Sequence, residues 1–181
     1  MISYPALCYR YLYGITSYVD AEIKHENKLR WLQYQILRHS IKTNYMVNKA
    51  LPHVSPLCAY CGDETGELEH TLHLFWTCRH TQKFWTDLTD LSFDIGTFLP
   101  MERIKILFGI HNDPPDSVNN FIILTAKHDI WANKFKTPHT PLSLVAFKKL
   151  LKLRVGEKQK VAEFLNKQDD LDRWNNLLLV L

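Results

Sequence analysis

Long apolar runs are missing from this sequence: none approaches the ~18–20 residues that a membrane span needs. The N-terminus, Met1-Ile2-Ser3-Tyr4-Pro5, has no basic run and is followed by tyrosines, so it does not read as a signal peptide. Glycine is scarce, at 6 of 181 residues, and too scattered for a Walker loop or a GxGxxG turn. The one Asp-Asp pair, Asp169-Asp170, follows Lys167-Gln168 rather than an aromatic-x, and reads as a solvated charge run instead of a polymerase metal site. Cysteine is also rare: four residues, Cys8, Cys58, Cys61 and Cys78. Disorder and low complexity are excluded by 46% hydrophobic, 12% aromatic and 23% charged residues.

What remains is a chain long enough to bury a real core, expected to lie inside the cell, where thiols stay reduced. Reduced cysteines point to metal or catalysis more than to disulfides. Cys8 stands alone and reads as a small buried hydrophobe.

Residues 1–21 are rich in tyrosine and lack a clear period, and residues 1–26 read as an N-terminal extension. From Asn27, Leu29, Leu32 and Ile36 recur at three and four, with Leu37 and Ile41 extending the stripe and Trp31 and Tyr34 widening it. Thr43 is the expected N-cap of a short helix reaching Leu51. Pro52 and Pro56 bracket an irregular stretch, and a helical pattern resumes after Cys78 through Phe84, Trp85 and Leu88. Further on, Asp116 or Ser117 caps a helix whose Phe121, Leu124, Trp131 and Phe135 share a face, with His128 packed on it. Pro138 ends that pattern, and Thr140-Pro141 reads as cap and first turn of a long helix. No segment alternates as a strand does. The expectation is an all-α fold: a helical domain over 27–92 that carries the three clustered cysteines, and a basic helical region over 93–181 packed on it.

Cys58-x2-Cys61-x11-His73-x4-Cys78 makes a Cys3His set, with His70 the competing nitrogen ligand. Three soft thiolates and an imidazole suit Zn2+ best. Four protein ligands leave no open position, so the site reads as structural. Catalytic zinc patterns fail: Glu69-His70-Thr71-Leu72-His73 is not HExxH, and neither the HxE nor the PCxxC of a zinc deaminase is present. His80 reads as a surface residue on the following helix.

Charge is uneven. Residues 62–102 carry eight acids and two bases, and residues 117–161 carry nine bases and two acids, so a net charge of +3 conceals a polarised chain. Lys148, Lys149, Lys152 and Lys160 gather on one side of the long C-terminal helix, opposite Leu144, Phe147, Leu150, Leu151, Val155 and Val161. Such a face can neutralise phosphates, although an ordinary solvated face has the same composition.

The run His73-Leu74-Phe75-Trp76-Thr77-Cys78, preceded by CxxC and followed by Phe84-Trp85, resembles the zinc-binding domain at the C-terminus of non-LTR retrotransposon reverse transcriptases. Trp31 to Leu37, Thr43-Asn44, Ile106 to Ile110, Ala126-Lys127, Ile130-Trp131 and Phe135-Lys136 resemble its flanks, as do the basic helix and Trp174. The resemblance selects His73 over His70, and this sequence departs from the pattern in having two histidines and a longer stretch after CxxC. It implies a non-catalytic piece of a retrotransposon polyprotein that holds template RNA and target DNA during target-primed reverse transcription.

Overall fold

The computed structural model describes residues 20–110, 117–136 and 141–181, with side chains from residue 27 onward other than that of residue 164. Helices supply the regular structure among these residues: α1 (Asp20–Leu37), α2 (Asn44–Ala50), α3 (Gly62–Thr65), a π-turn (His73–Thr77), α4 (Arg79–Asp94), α5 (Arg103–Phe108), α6 (Ser117–Asn133), α7 (Leu144–Phe164) and α8 (Gln168–Val180). The all-α expectation is met, and the one extended pairing among the described residues is an antiparallel bridge between Leu57 and Leu68. No helix there is long and apolar enough to cross a membrane.

Local chemistry explains several boundaries. Thr43 caps α2 by accepting from the Met46 N–H, as its position before a polar-apolar run suggests. Ser143, not the expected Thr140, caps α7: its hydroxyl accepts from the Ala146 N–H, so the helix starts after Pro141 rather than with it in the first turn. Thr140, Asp116 and Cys8 fall outside the described residues. α1 starts at Asp20, earlier than the apolar stripe alone indicates. Asp169 and Asp170 occupy the first turn of α8, where a negative charge suits the helix dipole.

One core runs through the chain. Leu32 and Ile36 of α1, Leu74 and Phe75 of the π-turn, Phe84, Trp85 and Leu88 of α4, and Phe147, Leu151 and Val155 of α7 are all buried in it. α6 lies at its centre, with Phe121 to Lys127 buried on every side rather than along a single stripe. Edge-to-face pairs join the layers, Phe84 to Phe147 and Phe121 to Trp174, each at 5.4 Å. Trp31 and Tyr34 do not widen the core stripe as expected: they lie on the outer face of α1, exposed and stacked on each other. Phe135, expected on the α6 face, is exposed beyond the helix end.

Candidate metal centre

The knuckle is built from short pieces that the backbone fixes. Cys58 donates its N–H to Glu67 O at 2.8 Å, and Gly62 donates to Cys58 O at 2.8 Å, which closes the CxxC into a tight turn. A side chain at Gly62 would place its Cβ 2.6 Å from that of Leu57, so the turn closes only with glycine there. α3 ends at Gly66 in the left-handed region, φ 70°, and the chain returns to pair Leu68 with Leu57.

The other two ligand candidates come from the π-turn. Cys78 donates its N–H to His73 O at 2.9 Å, a five-residue span that adds one residue to the helical turn. That widening leaves carbonyls without helical partners, and side chains from α4 take them. Thr81 Oγ1 donates to Leu74 O at 2.8 Å, and Trp85 Nε1 donates to Phe75 O at 2.9 Å. Trp85 is therefore a buried brace of the knuckle, and Trp76 packs partly buried against the core.

Together these pieces bring Cys58, Cys61, His73 and Cys78 into one buried cluster, with all four ligand atoms within 4.8 Å of one another. Cys58 Sγ lies 3.9 Å from Cys78 Sγ, and Cys61 Sγ lies 3.2 Å from His73 Nε2. A tetrahedral ion with bonds of about 2.0–2.3 Å sets its ligand atoms roughly 3.3–3.8 Å apart, so the donors fit one four-coordinate ion. His73 Nδ1 faces Thr77 Oγ1 at 3.2 Å, which turns Nε2 toward the sulfurs. Thr65 Oγ1 donates to Cys61 Sγ at 3.5 Å. Donating toward Cys78 and burial both push the Cys58 thiol up, while accepting from Cys58 pulls Cys78 down to about 5. His70 lies outside the cluster, exposed, with its ring 4.1 Å from that of Tyr45. His80, expected at the surface, is half-buried and also outside it.

Glu69 is the site residue that sequence reasoning missed, since it enters there only as one of the eight acids of residues 62–102 and in the failed HExxH match. It is fully buried beside the knuckle. Its carboxylate accepts from Ala59 N–H inside the CxxC at 3.0 Å and from Asn44 N–H at the start of α2 at 2.8 Å. Lys134, just past α6, completes the group as a buried ion pair with Glu69, and its ammonium also donates to Lys42 O at 2.9 Å. Tyr60, between the two cysteines, donates its hydroxyl to Ile130 O of α6. The knuckle is thus pinned at two points, to α6 through Ile130 and to Lys134 just past its end.

The lysines of α7 differ in their setting. Lys149, Lys152 and Lys160 are exposed and Lys148 is half-buried. Exposed Val145 and Leu153 share that side. The basic surplus of residues 117–161 is smaller at the surface than in the sequence. Lys127 is fully buried, with its ammonium donating to Gln33 Oε1 and Leu107 O, and Lys134 is consumed by Glu69. His128 is half-buried on α6 with its ring 6.4 Å from Trp131, and burial lowers its pKa.

No family model, curated protein or solved structure matches this chain.

Proposed function

We propose that this chain is a non-catalytic, zinc-stabilised nucleic-acid-binding module of the kind that ends non-LTR retrotransposon reverse transcriptases, acting inside the cell on RNA or DNA. The observation that carries the reading is the buried cluster of Cys58, Cys61, His73 and Cys78. Three sulfurs and one imidazole nitrogen favour Zn2+ over harder ions. Enclosure by four protein donors leaves no position for water or substrate, which supports a structural role over a hydrolytic one. Lys149, Lys152 and Lys160, exposed on α7, supply cations for phosphates, with Lys148 at their edge. Within a polyprotein the module would position template RNA and target DNA for a polymerase carried elsewhere.

A second reading, a zinc-stabilised helical interaction or structural domain that binds no nucleic acid, is favoured by one finding: burial removes Lys127 and Lys134 from the basic surface. Salt-dependent retention separates the two. Reduced, zinc-loaded protein is expected to bind RNA or DNA at about 50 mM salt and to lose affinity with a log–log slope near −0.9 per phosphate contact on duplex DNA. Folded, zinc-loaded protein that binds neither at that salt leaves the second reading.

A further inference from the structure

Between Glu26 and Asp63 the chain contains no acidic residue, yet it carries Lys28, Arg30, Arg38, Lys42 and Lys49. α1 from Asn27 onward and all of α2 fall in this stretch. Leu29, Leu32, Gln33 and Ile36 turn one side of α1 into the core. The opposite stripe steps by four, three and four through Asn27, Trp31, Tyr34 and Arg38, and all four are exposed.

Trp31 is 60% exposed and Tyr34 40%, with ring centroids 5.3 Å apart and planes inclined by only 20°. Two large rings left together in water are unusual, because burying each would be favourable by a few kcal/mol. Stacking covers one face of each ring and leaves the other available. The exposed charged residues of the same acid-free stretch, Lys28, Arg38, Lys42 and Lys49, have one sign. The complement of such a surface is a polyanion that also carries flat rings. A duplex hides its base faces, whereas a single strand offers them.

We propose that the Trp31–Tyr34 stack on α1 is a base-stacking platform for single-stranded RNA or DNA, with Lys28, Arg38 and Lys42 meeting its phosphates. The proposal rests on the nucleic-acid reading above and adds a surface on a different helix from the lysine face of α7. Phosphate contacts on α7 suit any polyanion, and the aromatic pair gives preference for unpaired bases.

The test uses the full, zinc-loaded chain and a short oligodeoxythymidylate carrying one fluorescent base analogue, with a duplex of equal length beside it. The Trp31→Ala/Tyr34→Ala protein is expected to bind the single strand roughly 10-fold or more weakly and to lose the stacking change in probe fluorescence. Duplex binding and the melting temperature should stay as in the wild type, and Trp31→Phe/Tyr34→Phe should restore the probe signal. If wild type binds but the alanine variant binds equally with the same signal, the platform is overturned and the function reading survives on α7. A lowered melting temperature with unchanged binding would assign the stack to packing against the chain itself, and also overturn it. A wild-type protein that binds no strand at about 50 mM salt removes both the platform and the function reading.

Discussion

The knuckle and the outer face of α7 use their polar groups in opposite ways. At the knuckle each group is held by another: Ala59 and Asn44 N–H by Glu69, Glu69 by Lys134, His73 by Thr77, and the π-turn carbonyls by Thr81 and Trp85. On α7 no described hydrogen bond or ion pair fixes Lys149, Lys152 or Lys160, and all three stand in solvent. A metal ion demands donors at fixed distances, so a preorganised shell suits it. A phosphate backbone varies in course, and long unfixed ammonium groups can follow it. The difference is one of chemistry: a closed, rigid centre supports the fold, and an open, adaptable face is available for contact.

The strongest way to break the comparison is to remove a ligand. His73→Ala should lose the metal and unfold the knuckle cooperatively on mild heating, because apparent binding energies of structural zinc are about 10–16 kcal/mol and appear as folding energy. Circular dichroism with and without a chelator checks this. Next in size is Glu69→Ala, which leaves the Lys134 ammonium buried without its carboxylate. Urea unfolding should show a loss of about 3–5 kcal/mol, and adding Lys134→Met should recover part of it, the Ala59 and Asn44 N–H groups staying without the carboxylate. A double variant no more stable than Glu69→Ala would show that the pair is not what pins the knuckle to α6.

Lys127 supplies a pH-dependent contrast. Its amine is buried against Gln33 and Leu107 with no carboxylate among those partners, and burial pushes its pKa down from 10.5 to about 7. Below about 7 both folded and unfolded chains hold the proton, and the folded state bears the full cost of a buried ammonium. Between about 7 and 10.5 only the unfolded chain keeps it, so folding releases a proton and stability rises with pH. The slope approaches at most about 1.4 kcal/mol per pH unit. Lys127→Met should flatten this component, as urea unfolding at about pH 7 and about pH 9 would show. Smaller still are the exposed positions. Lys149→Gln/Lys152→Gln/Lys160→Gln should leave the urea midpoint in place while making the salt slope of nucleic-acid binding shallower. His70→Ala should keep the metal and lose only a ring contact with Tyr45, about 0.5–1.5 kcal/mol by denaturation.

The parts legible in the sequence are those written in local spacing. Periodicity marked the core side of α1 and α4, Thr43 marked the start of α2, and the spacing of Cys58, Cys61, His73 and Cys78 marked the four donors that the fold brings together. The spacing alone leaves His70 open; the π-turn decides between the histidines, because it carries His73 into the cluster while His70, three residues before it, stays outside. The missed features are long-range or two-sided. Glu69 and Lys134 are 65 residues apart and Gln33 and Lys127 are 94 apart, and each looks like an ordinary surface polar residue until its partner is known. Periodicity assigned Trp31 and Tyr34 to the core because large rings usually belong there, yet their angular position sets them opposite Leu32 and Ile36. Summing charge over residues 117–161 counted two lysines that never reach the surface, and passed over the acid-free stretch before the cysteines.

Metal content tests the central claim most directly. Protein purified under reducing conditions should contain one zinc per chain by elemental analysis, and the His73→Ala protein none. Reduced, folded wild-type protein without zinc would contradict the assignment of the Cys58, Cys61, His73 and Cys78 cluster as a structural zinc centre.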